Sequence, residues 1–560
     1  MAVLRKPRFS RNLASFAQGT GTLAFTSIVN PQRKEREMIS GIARTSIGCL
    51  ALILAAGTAS AQLRVVNWNV TNYSSGRIAE FSTAIYGQVP TGLALQGQSM
   101  APDIFIGEEF LSQTGVNNFL SILNTAAGSP GDWAAAPFID GPDTDSAFFY
   151  RTSKVDYKAT VIISLVTGST SLPPRNTYRY DVVLKGYADV PATRLACYSA
   201  HMKSGSASAD QARRLLEANK IRDNANGIDT NGAGTALPAG WNFLYGADLN
   251  VQNSGQTAYQ RLVGSEANNS GRFWDPINSP GTWNNNSTFR FIHTQDPADP
   301  TGGMDDRHDQ LLIGTSLIDG TGLDYIGNQS LPFSTSTWND PNHSYRCWGN
   351  DGSSYNATLT TSGNTMVGAT IAQALVSSAN GLGHLPVLLD MRVPAKVTST
   401  TTLSFGSVNV GDPTSVSLPV SNDGNVVLWT ASGIDTLRYT LTGSAGFVAP
   451  AGNFVDAAGG GSNSHTITID TSTPGFKSGT VTINSNSPEQ PARVVTITGE
   501  VVAPPSCPAD FNNDGFVDFT DFDAYVTAFE SDGPGADFNN DGFVDFTDFD
   551  AFVTAFETAC

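Results

Sequence analysis

Basic residues are in short supply. Lys and Arg together number 32 against 50 Asp and Glu, and the formal charge is −18. That balance argues against a bulk nucleic-acid binder, which needs an excess of cations along its surface. Cysteine is scarcer, at five in 560 residues. Long apolar runs are missing too. The one candidate, Ile47–Ala56, is too short to span a bilayer, so no segment reads as a transmembrane anchor. What is present in ordinary amount is hydrophobic content, 40%, which predicts a real core. The length allows three or four domains.

The short apolar run sits in a recognisable frame. Met38 to Ala61 has a basic Arg44, the run itself, and Ala59-Ser60-Ala61 as a cleavage signature. It reads as a secretory signal peptide cleaved near Ala61, so a secreted, extracellular or cell-surface product is expected. Residues 1–37 are basic and patternless, and translation is expected to begin at Met38. Removing 1–61 takes away eight basic and two acidic residues, giving 24 against 48 and a charge near −24. Cys49 leaves with this segment. Cys507 and Cys560 bracket the C-terminal module and are placed to staple its ends in an oxidising compartment. Whether Cys197 and Cys347 pair or stay buried thiols is open at this stage.

From Gln62 to about Pro394 the chain reads as one α/β domain with polar residues at strand boundaries. Leu63–Val70 is a β-rich opening ending in Asn69. Pro102–Glu109 ends in two carboxylates, Glu108 and Glu109. Asp145–Arg151 is a third strand, and Arg194–Lys203 a fourth with His201 just past its end. Ala209–Arg222 has helical spacing. Phe243-Leu244-Tyr245 reads as a buried strand closed by a Gly246-Ala247 turn, with Asp248 and Asn250 behind it. Asp309 opens an apolar strand, and His384 precedes another, Leu385–Leu389. Taken alone, a histidine after a strand is more often structural than catalytic, and a strand-end Asn is usually a turn former. Seven at strand boundaries point to one site, because ligands of open α/β sheets gather at strand ends.

The order Trp68-Asn69, Glu109, His201, Gly246-x-Asp248-x-Asn250, Arg307-x-Asp309 and His384-x-Pro386-Val387 resembles the endonuclease/exonuclease/phosphatase superfamily, which includes deoxyribonucleases, inositol-phosphate phosphatases and bacterial sphingomyelinases. The resemblance implies a four-layer αββα sandwich with the site at one end. It implies Asn69 and Glu109 near a divalent cation, and His201 on the scissile phosphate. It puts Asp248 on the attacking water, Asn250 on a phosphate oxygen, Asp309 on the metal and leaving-group side, and His384 as general acid or base. Asp143 or Asp145 would partner His201.

Two departures stand out: Gly383 replaces an aspartate that would orient His384 and contact metal, and Glu108 stands where the family commonly has Gln. The oxygen-rich donor set favours Mg²⁺ or Mn²⁺ over Zn²⁺. Lys203, Arg151 and Arg307 are candidates for a locally positive mouth or for plain surface charge. The expected activity is phosphodiester hydrolysis, with nucleic acid the first substrate. The alternatives are a sphingomyelinase or phosphatase of the same fold, and a decayed, non-enzymatic surface or adhesion protein.

Residues 395–502 are rich in Ser, Thr, Val and Gly, with short alternating strands at 402–406, 415–420, 479–483 and 494–499. This pattern predicts an Ig-like β-sandwich acting as a spacer.

The segment 503–560 holds a repeat: Ala509–Phe529 recurs as Ala536–Phe556, differing only at Tyr525 against Phe552. Each copy carries calcium-loop spacing. The expected ligands are Asp510, Asn512, Asp514, the Phe516 carbonyl, Asp518 and Asp521, then Asp537, Asn539, Asp541, the Phe543 carbonyl, Asp545 and Asp548. With Asp closing each loop, the pair resembles a type I dockerin. That implies two Ca²⁺ and a cohesin-like or cell-envelope partner. Thirteen acids and no Lys or Arg lie from Cys507 onward, so of the −24 only about −11 belongs to the rest.

Overall fold

The computed structural model describes residues 62–141, 143–164, 175–503 and 507–558. The expected leader, the upstream stretch and Cys560 lie outside them. In chain order the first domain contributes β1 (Leu63–Tyr73), α1 (Ile78–Tyr86), β2 (Ile104–Phe110), α2 (Gln113–Thr125), β3 (Trp133–Ala135), β4 (Asp145–Arg151), β5 (Val155–Ser164), β6 (Thr177–Leu184), β7 (Arg194–His201), α3 (Ser208–Ala225), β8 (Asn242–Asp248), α4 (Thr257–Val263), β9 (Phe273–Trp274), β10 (Asp309–Gly314), β11 (Asp324–Tyr325), β12 (Arg346–Cys347), α5 (Gly368–Ser378) and β13 (Val387–Arg392). One sheet runs β11-β13-β1-β2-β4-β3 with β12 on β13, and the other runs β5-β6-β7-β8-β10-β9.

Strand alternation sets the layers. On β7, Leu195 and Cys197 turn into the space between the sheets, while Ala196, Tyr198 and Ala200 pack under α3 and α4. The helices α1, α2 and α5 share a core with β1 and β2. Helices therefore cover both outer faces, in four layers. No described helix is long and apolar enough to cross a membrane.

Gly246 is not a turn residue. β8 continues through it to Asp248. A Cβ at Gly246 would stand 2.7 Å from Asn67 Oδ1 and 2.9 Å from Ile106 Cδ1, so the glycine marks a close approach of the two sheets. Cys197 and Cys347 are both free and buried, and Cys507 is disulfide-bonded.

Beyond Val393 a four-stranded and a five-stranded sheet enclose a second core of Leu418, Leu437, Ile467, Ile483 and Ile497. The segments Thr402–Asn409, Ser415–Asn422, Gly475–Ser485 and Ala492–Val502 are strands there, joined by Leu437–Gly443 and Asn463–Ile469, which the sequence pattern does not single out. This module is no free spacer. Trp429 is fully buried in the first domain's core together with Ile434 and Ala458. Its Nε1 donates to the Lys185 carbonyl at 3.2 Å, and the Lys154 ammonium lies 4.6 Å above its ring. Arg438 reaches the Gly320 carbonyl at 2.7 Å.

At the C-terminus each repeat is a loop followed by a helix, Phe519–Glu530 and Phe546–Thr558. The differing pair, Tyr525 and Phe552, stacks with ring centroids 3.9 Å apart and joins the two copies.

Candidate active site

β1 and β2 end in paired irregularities. Their register shifts between Asn69 and Tyr73, and the β2–β4 register shifts between Gly107 and Phe110. Inside the second shift Glu109 has φ 64, a left-handed conformation rare for a residue with a side chain,. In an unbroken strand Glu108 and Glu109 would face opposite sides; the bulge re-aims Glu109. Its Oε2 accepts the Asn72 N–H at 2.9 Å and its Oε1 the Asn69 amide at 3.1 Å. Glu108 instead turns into the interior, fully buried, with neither carboxylate oxygen hydrogen-bonded.

The second sheet brings its residues to the same place. β7 and β8 run parallel with His201 opposite Asp248, and β10 runs antiparallel with Asp309 opposite Asp248. His201 is thus the last residue of its strand. Asp248 Oδ2 is the hub: Asn69 Nδ2 stands 3.1 Å from it, His201 Nε2 3.3 Å and His384 Nε2 3.9 Å. His201 Nδ1 lies 3.5 Å from Glu109 Oε1, and His384 Nδ1 lies 2.9 Å from Asp309 Oδ2. Asn250, at φ 52, folds back so that its N–H caps Asp248 Oδ1 at 3.1 Å. Its side-chain amide donates to the Met202 carbonyl, also at 3.1 Å.

Seven of the expected residues, Asn69, Glu109, His201, Asp248, Asn250, Asp309 and His384, therefore lie in one connected cluster. Asp145 does not join it. Its carboxylate accepts the Gly141 N–H at 2.7 Å, and it makes no hydrogen bond or ion pair with His201. Asp143 is paired with Arg175 at 3.0 Å. Glu109 and Asp248 are the carboxylates beside His201. Two of the proposed mouth cations are corrected as well. Arg307 is fully buried in a two-pronged pair with Asp275, both contacts at 2.8 Å, and Arg151 is paired with Asp103 and Asp132.

Burial, then the charges of Arg175, His384 and His308, holds His201 well below the ordinary histidine range. His384 goes the other way. Burial pulls its imidazolium down, but the opposed Asp309, then Asp248 and Glu109, raise it to about 10. Asp248 is pushed up by burial, pulled back by His384, and raised again by Asp309.

Several supporting residues gave no usable signal in the sequence. The buried Arg214 on α3 donates to the carbonyls of Lys203 and Gly205 at 2.6 and 2.8 Å, and Glu217 accepts the Lys203 N–H at 3.2 Å. Together they hold the loop after His201. Thr294 Oγ1 accepts the Asp309 N–H at 3.1 Å. A charged residue on the buried face of a helix looks, in sequence, like a solvated one.

The donor set suits a hard divalent cation. Candidate ligand atoms of Asp248, Asp309 and His384 all lie within 4.8 Å of one another. Asp309 Oδ1 is buried without any hydrogen-bond donor, which a cation would remedy. In the first C-terminal loop, Asp510, Asp514 and Asp521 form a second such group.

No family model matches the sequence, and no curated protein matches it. Solved structures with a similar arrangement include an endonuclease/exonuclease/phosphatase family protein from Bacteroides thetaiotaomicron (14% identity, 59% of this chain and 97% of that one, TM-score 0.31). A mannosyl-6-phosphatase of the same organism matches at 14% identity over 59% of this chain and 99% of that one, with a TM-score of 0.32. The catalytic domain of human Nocturnin matches at 12% identity over 59% and 94%, with a TM-score of 0.33.

Proposed function

We propose that residues 62–394 are a divalent-metal-dependent phosphodiester hydrolase, with nucleic acid as the first substrate to test. The chain is read as secreted, with an Ig-like module and a calcium-binding, dockerin-like tail that docks to a cohesin-like or envelope partner. One observation carries the hydrolase reading: Asn69, Glu109, His201, Asp248, Asp309 and His384, drawn from five strands and one loop, form a single chain of contacts no longer than 3.9 Å.

Glu109, Asp248 and Asp309, with Asn69, would hold Mg²⁺ or Mn²⁺. That ion would supply a positive charge against the oxygens that gain negative charge during hydrolysis. The protein's own groups divide the remaining work. A neutral His201 offers an N–H to a phosphate oxygen. Asp248 orients the attacking water and accepts its proton. His384, kept protonated by Asp309, delivers a proton to the departing oxygen. Asn250 fixes Asp248 through its backbone N–H and the His201 loop through its side chain.

Gly383 is the one feature that favours the alternative of a decayed surface protein; the intact Asp309–His384 pair weighs against it. A sphingomyelinase or phosphatase activity uses the same phosphate site. The full chain should cleave plasmid DNA, RNA or bis(p-nitrophenyl) phosphate with Mg²⁺ or Mn²⁺ and lose that activity in EDTA or on Asp248→Ala. A chain inactive on all three with either ion overturns the hydrolase.

A further inference from the structure

A cleft of about 140 Å³ opens beside β9, and Ser254, Gln260, Arg272, Trp274, Asn278 and Gln329 are among its walls. It stands apart from the catalytic cluster, because β9 pairs with the end of β10 remote from Asp309, Trp274 lying opposite Ile313. Arg272 is fixed in this cleft with its charge unmatched. Its guanidinium carbon lies 3.7 Å from the centre of the Trp274 ring, and its Nε donates to the Val263 carbonyl at 2.7 Å. Nη1 and Nη2 make no hydrogen bond, and among the described residues Arg272 has no carboxylate partner. Asp275, the one carboxylate lining the cleft, is already taken: both its oxygens accept from the buried Arg307 at 2.8 Å. The buried Arg222 lies close enough to Arg272 and Arg261 to feel their charges. Arg261 is matched by Asp223 and Glu266, whereas Arg222 has only neutral partners, the Leu262 and Asn268 carbonyls and the Asn269 amide. Asn278 and Pro280 also line a neighbouring cleft of about 100 Å³, whose walls include Phe289, Phe291, Ile292 and Phe333.

We propose that the cleft binds a small carboxylic acid with a flat apolar body, its carboxylate on the Nη edge of Arg272 and its body directed past Pro280 toward the phenylalanines. A guanidinium already held by a ring stack and an Nε hydrogen bond presents two parallel N–H groups with little further ordering to undergo. A carboxylate matches that fork with both oxygens. Charge narrows the class. One unmatched cation lines the cleft, and it balances a single negative charge, whereas a phosphate monoester carries close to two. The remaining polar walls, a serine hydroxyl and three side-chain amides, are neutral. Such binding goes beyond the hydrolase reading and does not need it.

Calorimetry on the full chain, with Mg²⁺ and Ca²⁺ present, compares benzoate with benzamide, which keeps the ring and lacks the charge. Benzoate should bind at one site per chain and benzamide at least about 10-fold more weakly, the ordinary yield of a hydrogen bond to a charged group. Arg272→Gln should weaken benzoate by about 10-fold or more, with its melting temperature checked beside it. Gln260→Glu makes the same point without touching Arg272, because residue 260 is exposed and a carboxylate there competes for the guanidinium. It should lower the affinity for benzoate and leave that for benzamide unchanged. Asp248→Ala should alter neither, since the catalytic cluster takes no part. Absent benzoate binding, or benzamide binding as tightly, overturns the site. So does a benzoate affinity unmoved by Arg272→Gln or, should that variant not fold, by Gln260→Glu. Loss of benzoate binding in Asp248→Ala places the ligand in the catalytic cluster and overturns the site as well. Inorganic phosphate that displaces benzoate at equal concentration overturns the carboxylate assignment.

Discussion

His384 Nδ1 lies 2.9 Å from Asp309 Oδ2, although the two residues are 75 positions apart. This pair supplies the orientation that the missing aspartate at position 383 was expected to provide. It also decides which variants are informative. Asp309→Asn keeps the shape and removes the charge that holds the imidazolium. The kcat should fall by about 10²–10⁴-fold, the ordinary yield of a positioned acid or base, with a smaller change in KM. Loss confined to KM would remove His384 from the chemical step. Restoring the aspartate should not help, because Gly383 has φ +74, and a Cβ there would overlap the Ala379 Cβ and lie 3.0 Å from its Cα. A side chain at that position is strained by about 1–3 kcal/mol.

The same pair predicts a pH signature in the metal-free protein. His384 is raised to about 10, against about 6.5 in an unfolded chain. Its contribution to stability is therefore complete below about pH 6.5 and is lost as the pH climbs through 10,. Two-dimensional NMR of the imidazoles in EDTA should show one histidine still protonated at about pH 8, between those two values. Adding Mg²⁺ or Mn²⁺, which neutralises Asp309 and Asp248, should lower its pKa. His384 already neutral at about pH 7 in EDTA would overturn this assignment.

Much of the site was legible because each member follows or precedes a short apolar run, and strand ends converge when strands share a sheet. Local patterning could not supply what crosses between segments. Arg307 looked like a free cation beside Asp309, yet its partner Asp275 is 32 residues away. Gly246 looked like a turn because nothing in its neighbourhood reveals the opposing Asn67. The choice between Glu108 and Glu109 depended on a bulge, and the contacts of Trp429 on partners such as Lys185, 244 positions back in the preceding domain.

Glu108 carries the next prediction. In the metal-free protein burial, then the charges of Asp309, Asp248 and Glu109, push its carboxyl well above the ordinary range. The folded state thus keeps a proton that the unfolded chain releases. That stabilisation is complete below about pH 4.3 and declines as the pH rises toward the folded pKa. A glutamine side chain in its place has no such proton to lose. Urea denaturation in EDTA should find Glu108→Gln close to wild type at about pH 4 and more stable above it. The gain should grow by about 1.4 kcal/mol per pH unit while the pH lies between the two pKa values. A gap independent of pH would mean that Glu108 is already paired.

Trp429 tests whether the second module is a spacer. Removing a fully buried tryptophan costs about 3–5 kcal/mol, and here the Lys154 contact and the hydrogen bond to Lys185 go with it. Trp429→Ala should lower the melting temperature of the first domain as well as its own. A chain ending at residue 394 should be less stable than the full chain by a comparable amount. Independent melting of the two modules, unmoved by Trp429→Ala, would restore the spacer.

The tail offers the last test. Asp521 Oδ1 and Oδ2 accept the N–H groups of Asn512 and Asp518 at 3.0 and 2.9 Å, and Asp548 does the same for Asn539 and Asp545. Each loop is thus folded back on its twelfth residue, which draws several carboxylates together with no basic residue from Cys507 onward to offset them. Calcium would remove that repulsion and add binding free energy, about 2.7 kcal/mol per site at a hundredfold excess over Kd. In EDTA at low salt the tail should melt separately and early, and millimolar Ca²⁺ should restore it. Because Tyr525 and Phe552 stack across the repeat, Asp521→Ala should weaken calcium binding in both loops rather than one. Two independent sites in calorimetry, with the second loop untouched by Asp521→Ala, would mean the ring contact does not couple the repeats. A tail equally stable in EDTA and Ca²⁺ would remove the calcium reading altogether.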